Sequence, residues 1–466
     1  MVNVMIPTVE NDCNAGKLMS SSKITDIKYE RATCSYLNYS EKYLLLERHF
    51  SNQYAPFYAV RLKLMSERVK EAAKQKWGQD ISIKKLCELS GDKNVCILGT
   101  LFKYMTLQPN ILKEISEEVI IQLPILLHWF LYVQPQHLEK IPGGKSGKHK
   151  RIISIGRQYY RKNDQILGII CALFGDQEDG KFIVKDVAYP SVLSQIERPL
   201  LQDDKYIVLI SGLGLCETSN ILLPLQMLVD TVAGFLGEEY EQERAAKIVR
   251  FIIAGNFLSE NTKDAEFFTK VKYTTSKCKP AGLDGVKILD DMLAQLCSSI
   301  EVDIMPGEFD PANHLMPQQP LHKCLFPNAR KFSTLHTVTN PYDFSIDGIR
   351  ILGVSGQNIQ DIKKYSHLED PLICLEKILE WGHLAPTSPD TLDCYPFYSE
   401  DPFILNDCPH VLFAGNQSEY NSKLYKGSTG QLVKLISIPK FSNSASCVLL
   451  NLKTLECSPW VYEIDV

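Results

Sequence analysis

The chain has 466 residues, 45% of them hydrophobic and 23% charged, with a formal net charge of -5. That length predicts two or three domains, and the composition is ordinary for a soluble globular protein. The charge balance excludes an overall basic field for nucleic acid and leaves only local basic patches.

Residues 1–45 read as an N-terminal extension, rich in Ser, Asn and Thr and without sustained periodicity, expected to be partly disordered. No basic start followed by an apolar run opens the chain, so no secretory signal is expected. The 14 cysteines are scattered from Cys13 and Cys34 to Cys457 with no C-x-x-C pair. That pattern implies free thiols in a reducing compartment, cytosol or nucleus, rather than a zinc finger.

A first domain is expected over 46–195. Tyr58, Leu62, Met65 and Val69 recur at helical spacing in 54–77, with Lys and Glu on the other face and Gly78 as the stop. "SIKKLCEL" (82–89) predicts a second short helix. Residues 94–107, 166–175 and 181–190 read as strands, the last two joined by a turn at Asp179-Gly180. Strands of this kind after a helix predict a small β-barrel. The segment 119–137 carries no Asp, Glu, Lys or Arg. Its strongly apolar part falls short of the roughly 20 residues that span a bilayer, so a buried segment is expected and a membrane partner is not. "GGKSGKHKR" (143–151) is a solvated basic loop; Glu139 stands where a P-loop needs its first glycine.

From about residue 203 the pattern changes. "YIVLISGLGL" (206–215) and "RFIIAGNFLS" (250–259) are continuous apolar runs ending in glycine or polar residues, as fully buried strands do. A helix ending at Gly237 follows the first run. A second helix, with Val286, Leu289, Met292, Leu293 and Leu296 on one face, leads into "VDIMPGEFDP". The alternation predicts a layered α/β domain over 196–466, with functional loops beyond the carboxyl ends of its strands. A two-metal phosphoesterase would need carboxylates and imidazoles there, to hold cations about 3.5–4 Å apart. In 303–313, Glu308 and Asp310 offer charge, but Phe309 between them ligates nothing.

These segments, with "FSNQYAPFYAVRL", "GTLFKYMTLQPNIL", "SGLGL", "VDIMPGEFDPAN", "TNPYDFSIDGIRILGVSGQNIQDI" and "HLAPTSPDTLDCYPF" in that order, resemble the small, or B, subunits of replicative DNA polymerases, most closely the delta branch. The resemblance covers nearly the whole chain. It implies an OB-fold β-barrel domain fused to a calcineurin-like phosphoesterase domain, α/β within the second and α+β overall. It also implies which positions stand where active relatives keep metal ligands. Gly212 and Gly214 replace an Asp and a His. Asn256 and Ser259 replace two carboxylates. Glu308 and Phe309 fall in the third motif, Phe309 at the catalytic histidine. Ser355, Asn416 and Ser418 replace later histidines. The resemblance therefore implies a catalytically dead scaffold with no cofactor and no metal, in which Glu308 and Asp310 serve as turn and surface carboxylates. Its implied partners are the cysteine-rich C-terminal domain of the catalytic polymerase subunit and the third delta subunit, in the nucleus, in replication and repair synthesis, with DNA contacted mainly through the complex.

Several features lie beside that reading. His383 and His410 fall at no ligand position and are expected to be structural. Tyr395, Phe397, Tyr398 and Phe403, interleaved with prolines and acids, suit either core or a partner surface. Phe102, Tyr104, Phe174 and the basic run Lys145 to Lys162 keep single-strand binding open as an alternative for the barrel. Residues 119–165 depart from the family pattern.

Overall fold

The computed structural model describes residues 29–49, 51–85, 88–104, 128–132, 153–154, 167–178, 181–215, 221–260 and 281–462. The first part of the chain runs β1 (Tyr36–Asn38), α1 (Ala55–Trp77), β2 (Ile83–Lys84), β3 (Val95–Tyr104), β4 (His128–Tyr132), β5 (Ile153–Ser154), β6 (Ile170–Glu178) and β7 (Lys181–Ala188). The second begins β8 (Tyr206–Ile210), α2 (Leu222–Ala233), α3 (Glu239–Ala246), β9 (Ile248–Ala254), α4 (Ala281–Cys297) and β10 (Glu301–Met305). It continues β11 (Leu335–Thr337), β12 (Tyr342–Ile346), β13 (Ile349–Val354), α5 (Gln357–Tyr365) and α6 (Pro371–Trp381). It closes with β14 (Val411–Gln417), β15 (Asn421–Lys426), β16 (Leu432–Pro439), α7 (Phe441–Ser444), β17 (Ser446–Asn451) and β18 (Cys457–Val461).

Strands β5-β4-β3-β6-β7 form one antiparallel sheet, with β2 added in parallel to β3. Helix α1 packs on this sheet through Leu62, Met65, Val69 and Ala73. Pro56 opens the helix, and Gly78 closes it by donating its N–H to the Lys74 carbonyl.

The second part holds two six-stranded sheets, β11-β10-β9-β8-β17-β18 and β1-β12-β13-β14-β16-β15. They pack face to face. Along β8, Ile207 and Leu209 point into the core between the sheets, while Val208 and Ile210 point outward to α2 and α4. Along β13, Ile349 and Ile351 face the same inner core, and Leu352 and Val354 face α5 and α6. This two-way alternation explains why the strands read as unbroken apolar runs: both faces are covered. The layers are helix, sheet, sheet, helix.

Two expectations change, and short strands are added to two spans left open. Ile83–Lys84 of "SIKKLCEL" is a strand, paired to Cys96 and Ile97, because completing the sheet outweighs helical spacing in so short a run; Leu86 and Cys87 lie outside the described residues. Helix α2 stops at Gly234, whose left-handed φ of 87° lets its N–H reach back to Asp230 and Thr231, so Gly237 lies beyond the helix. Within the N-terminal extension, Tyr36–Asn38 is ordered and adds an edge strand to β12. Within 119–165, His128–Tyr132 pairs with β3 and Ile153–Ser154 with β4. The remainder of that span, the basic loop 143–151 and the Asp179-Gly180 turn lie outside the described residues. No described helix is long and apolar enough to cross a membrane.

Candidate functional site

The loops after β8, β9, β10, β13 and β14 converge at one end of the two sheets. They meet one another through backbone and side-chain contacts. The loop after β8 lies along the loop after β9: Gly212 donates to the Gly255 carbonyl at 3.0 Å and Leu215 to the Phe257 carbonyl at 2.8 Å. A Cβ at Gly212 would fall 2.9 Å from both Asn416 Oδ1 and the Lys440 backbone. The space beside Gly212 is thus taken by the end of β14 and the turn after β16. Gly307 is tighter still, since its Cβ would lie 2.2 Å from the backbone N and the Oδ1 of Asn256. Only glycine permits that approach.

Neutral amides hold the cluster. Asn256, in the left-handed region at φ 53°, accepts the Phe309 N–H on its Oδ1 at 3.2 Å. Asn416, also left-handed at φ 58°, donates to the carbonyls of Ala254 and Ser355 at 3.1 and 2.7 Å, while its own N–H reaches Ser211 Oγ at 2.8 Å. Its buried Oδ1 has no hydrogen-bond partner among the described residues. Ser355 joins a network with Asn340, Gln318 and Gln357: Asn340 Oδ1 accepts the Ser355 N–H at 3.1 Å, and Asn340 Nδ2 donates to Gln318 Oε1 at 2.8 Å. Within that network Asn340, Gln318 and Gln357 each donate and accept, so the three side chains satisfy one another without a charged guest.

Of the acids at 308 and 310, Glu308 is half-buried and Asp310 is buried. The expectation of Asp310 as a surface carboxylate is corrected. Its Oδ1 accepts the Leu258 N–H at 3.1 Å and its Oδ2 the Gly307 N–H at 2.8 Å, so it ties the loop after β10 to the loop after β9. Burial pushes its pKa up to about 7, against the pull of the Leu258, Gly307, Asn256 and Phe257 N–H groups. Ser259 is buried, Ser418 is exposed, and Phe309 lies with Gly307 against Asn256. Among the described residues, no group of three or more His, Cys, Asp and Glu side chains is placed to hold a metal.

Three of the four aromatics weighed as a partner surface are interior. Tyr395, Phe397 and Phe403 belong to the core under α6, with Phe397 stacked on Phe57 of α1 at 6.1 Å and edge-on to Phe403 at 6.4 Å. Their spacing among prolines left core and surface open because α1, which packs on Phe397, comes from the far end of the chain. Tyr398 alone of the four is open to solvent, 68% exposed.

One polar centre was missed. Arg61 of α1, 0% exposed, donates from Nε to Asp401 Oδ2 at 2.6 Å and from Nη1 to the Pro386 carbonyl at 3.1 Å. His383 Nε2 meets the same Asp401 oxygen at 2.9 Å. Burial alone would raise the Asp401 pKa; the Arg61 guanidinium and His383 outweigh it and hold it well below the usual carboxylate range. Burial and Arg61 lower the pKa of His383. Tyr58 to Asp390 at 2.6 Å and Arg68 to the Leu405 carbonyl at 2.6 Å extend the joint. In the sequence Arg61 was one more cation beside the apolar stripe; only the distant Asp401 reveals it. His410 bridges backbone, accepting the Arg350 N–H and meeting the Ile196 carbonyl, each at 2.8 Å.

Comparison with known proteins covers most of the chain. Residues 53–187 match the family described as "DNA polymerase delta subunit OB-fold domain", and residues 207–423 match the family described as the B-subunit of DNA polymerase alpha/epsilon. A protein named "DNA polymerase delta small subunit" from Arabidopsis thaliana is 40% identical over 435 residues, covering 92% of this chain and 96% of its own. "DNA polymerase delta subunit 2" of Drosophila melanogaster is 36% identical, covering 93% of this chain and 99% of its own. A Saccharomyces cerevisiae "DNA polymerase delta small subunit" is 30% identical, covering 90% of this chain and 91% of its own.

Proposed function

The chain belongs to the small-subunit family of DNA polymerase delta, and from that premise we propose that it works as a rigid, non-catalytic scaffold. It is an accessory subunit of the polymerase, with an OB-fold domain and a layered α/β domain. In our reading it links the cysteine-rich C-terminal domain of the catalytic subunit to the third subunit, in the nucleus, for replication and repair synthesis. DNA is reached mainly through the complex. The working units are 46–195 and 196–466, preceded by the 1–45 extension, and Tyr398 is the aromatic still free to meet a partner.

The observation that carries the non-catalytic part is the filling of the strand-end cluster. Gly212, Gly214, Asn256, Ser259, Phe309, Ser355, Asn416 and Ser418 supply no charge, and Glu308 and Asp310 supply two carboxylates at most. Two dications held side by side need several anionic ligands to offset their repulsion. At Gly212 the Lys440 backbone and the Asn416 amide stand where a ligand side chain would project.

Co-expression with the catalytic and third subunits tests the scaffold. A stable three-part complex is expected, with neither of the other two subunits held to the other when this chain is left out. Direct, equally stable association of those two subunits without it contradicts the proposal.

A further inference from the structure

The corner between α2 and α3 carries a patch that the fold does not use. Phe235 and Leu236 project from the turn after α2, and Tyr240 from the first turn of α3; they are 53%, 40% and 69% exposed. Glu238, Glu239, Glu241 and Glu243 are interleaved with them and exposed. Glu243 pairs with Lys247 at 2.8 Å. Arg244 turns away and lies over the rings of Tyr206 and Trp460, 5.3 and 5.5 Å from their centroids. No described cation pairs with Glu238, Glu239 or Glu241. Part of this acid has local work: Glu241 accepts the Glu238 N–H at 3.0 Å in a capping box, and Glu239 accepts the Tyr29 hydroxyl at 3.2 Å. Helix capping explains neither the exposed aromatic rings nor the surplus of carboxylates.

Apolar side chains grouped on a surface and rimmed by polar ones mark an interaction site, and aromatic residues are enriched at such sites. The rim fixes the sign of the partner. A second copy of this chain, brought up on the same patch about a two-fold axis, would set carboxylates against carboxylates. The chain's own residues 1–28 are balanced, with Lys17, Lys23 and Lys28 against Glu10, Asp12 and Asp26. Neither complements the patch. We propose that the α2–α3 corner docks a Lys/Arg-rich segment of another polymerase subunit, anchored by apolar side chains against Phe235, Leu236 and Tyr240. This rests on the scaffold reading above and names one of its contact surfaces.

The test uses the full chain co-expressed with the catalytic and third subunits, as wild type, as Phe235→Ser with Tyr240→Ala, and as Glu239→Lys with Glu243→Lys. Glu238 and Glu241 are left in place because their side chains form the two halves of the capping box. Both variants should match the wild-type circular dichroism and melting curve. Each should bind one of the two subunits about tenfold more weakly and keep the other. Salt should weaken that same contact in the wild type and much less in the charge-reversed variant. Wild-type retention of both subunits by both variants overturns the proposal. So does a wild-type dimer that the variants lose, or faster hydrogen exchange at 235–243 when residues 1–28 are deleted. A wild-type chain that holds neither subunit overturns the scaffold reading itself, and this docking with it.

Discussion

The strand-end cluster and the Arg61–Asp401–His383 joint are both buried and polar, yet they are built from opposite chemistry. At the strand ends, glycines and neutral amides interlock around the single buried carboxylate of Asp310. At the joint, where helix α1 of the first domain enters the second, the chain buries a full ion pair with a histidine beside it. Charge is paired with charge at the joint and met mainly by neutral groups at the strand ends. Buried ions stabilise little in themselves, but they tolerate only one geometry. That suits a scaffold.

The largest expected effect separates the two regions. Asp401→Ala leaves the Arg61 guanidinium buried without its carboxylate and should cost about 3–5 kcal/mol in denaturant unfolding. Replacing the pair together, as Arg61→Met with Asp401→Leu, should cost clearly less, since no charge is stranded. Equal losses would show that the joint works by packing alone. Next comes Gly307→Ala, whose methyl would meet Asn256; overpacking of that kind costs about 1–3 kcal/mol. A neutral result would mean that the strand ends are looser than described.

The third prediction uses pH. Asp310 has its folded pKa raised to about 7, above its ordinary 3.8. The folded state therefore holds the proton more tightly, and the contribution is fully present below the ordinary value and lost as pH rises through about 7. Asp310→Asn removes that titration. The variant should gain on the wild type between about pH 4 and 7 in urea unfolding. A gap that stays constant with pH would place Asp310 in a wetter site. Smallest is Tyr398→Ala, a solvent-facing change expected to shift stability by no more than about 0.5 kcal/mol. Any loss should appear only in retention of partner subunits, read by co-purification.

Much of the architecture was legible because periodicity reports burial. Tyr58, Leu62, Met65 and Val69 placed α1, and the runs at 206–210 and 250–254 announced strands covered on both faces. Glycine and amide residues at the strand ends could also be read one by one. Their mutual contact could not. Asp310 looked like a surface acid because its partner Leu258 lies 52 residues away. Arg61 carried no local signal because its partner Asp401 lies 340 residues away. "SIKKLCEL" had helical spacing, and only the neighbouring strand β3 turned Ile83–Lys84 into sheet. Tyr395, Phe397 and Phe403 suited core and surface alike until the core under α6 enclosed them. In each case a long-range contact outweighed the local pattern.

We propose strand ends closed to chemistry in a chain that serves the complex. The purified chain with Mn²⁺ and a generic phosphodiester tests it most directly. The expected result is no metal-dependent turnover above the buffer blank, with Glu308→Ala indistinguishable from the wild type. Metal-dependent hydrolysis that Glu308→Ala abolishes would contradict the account.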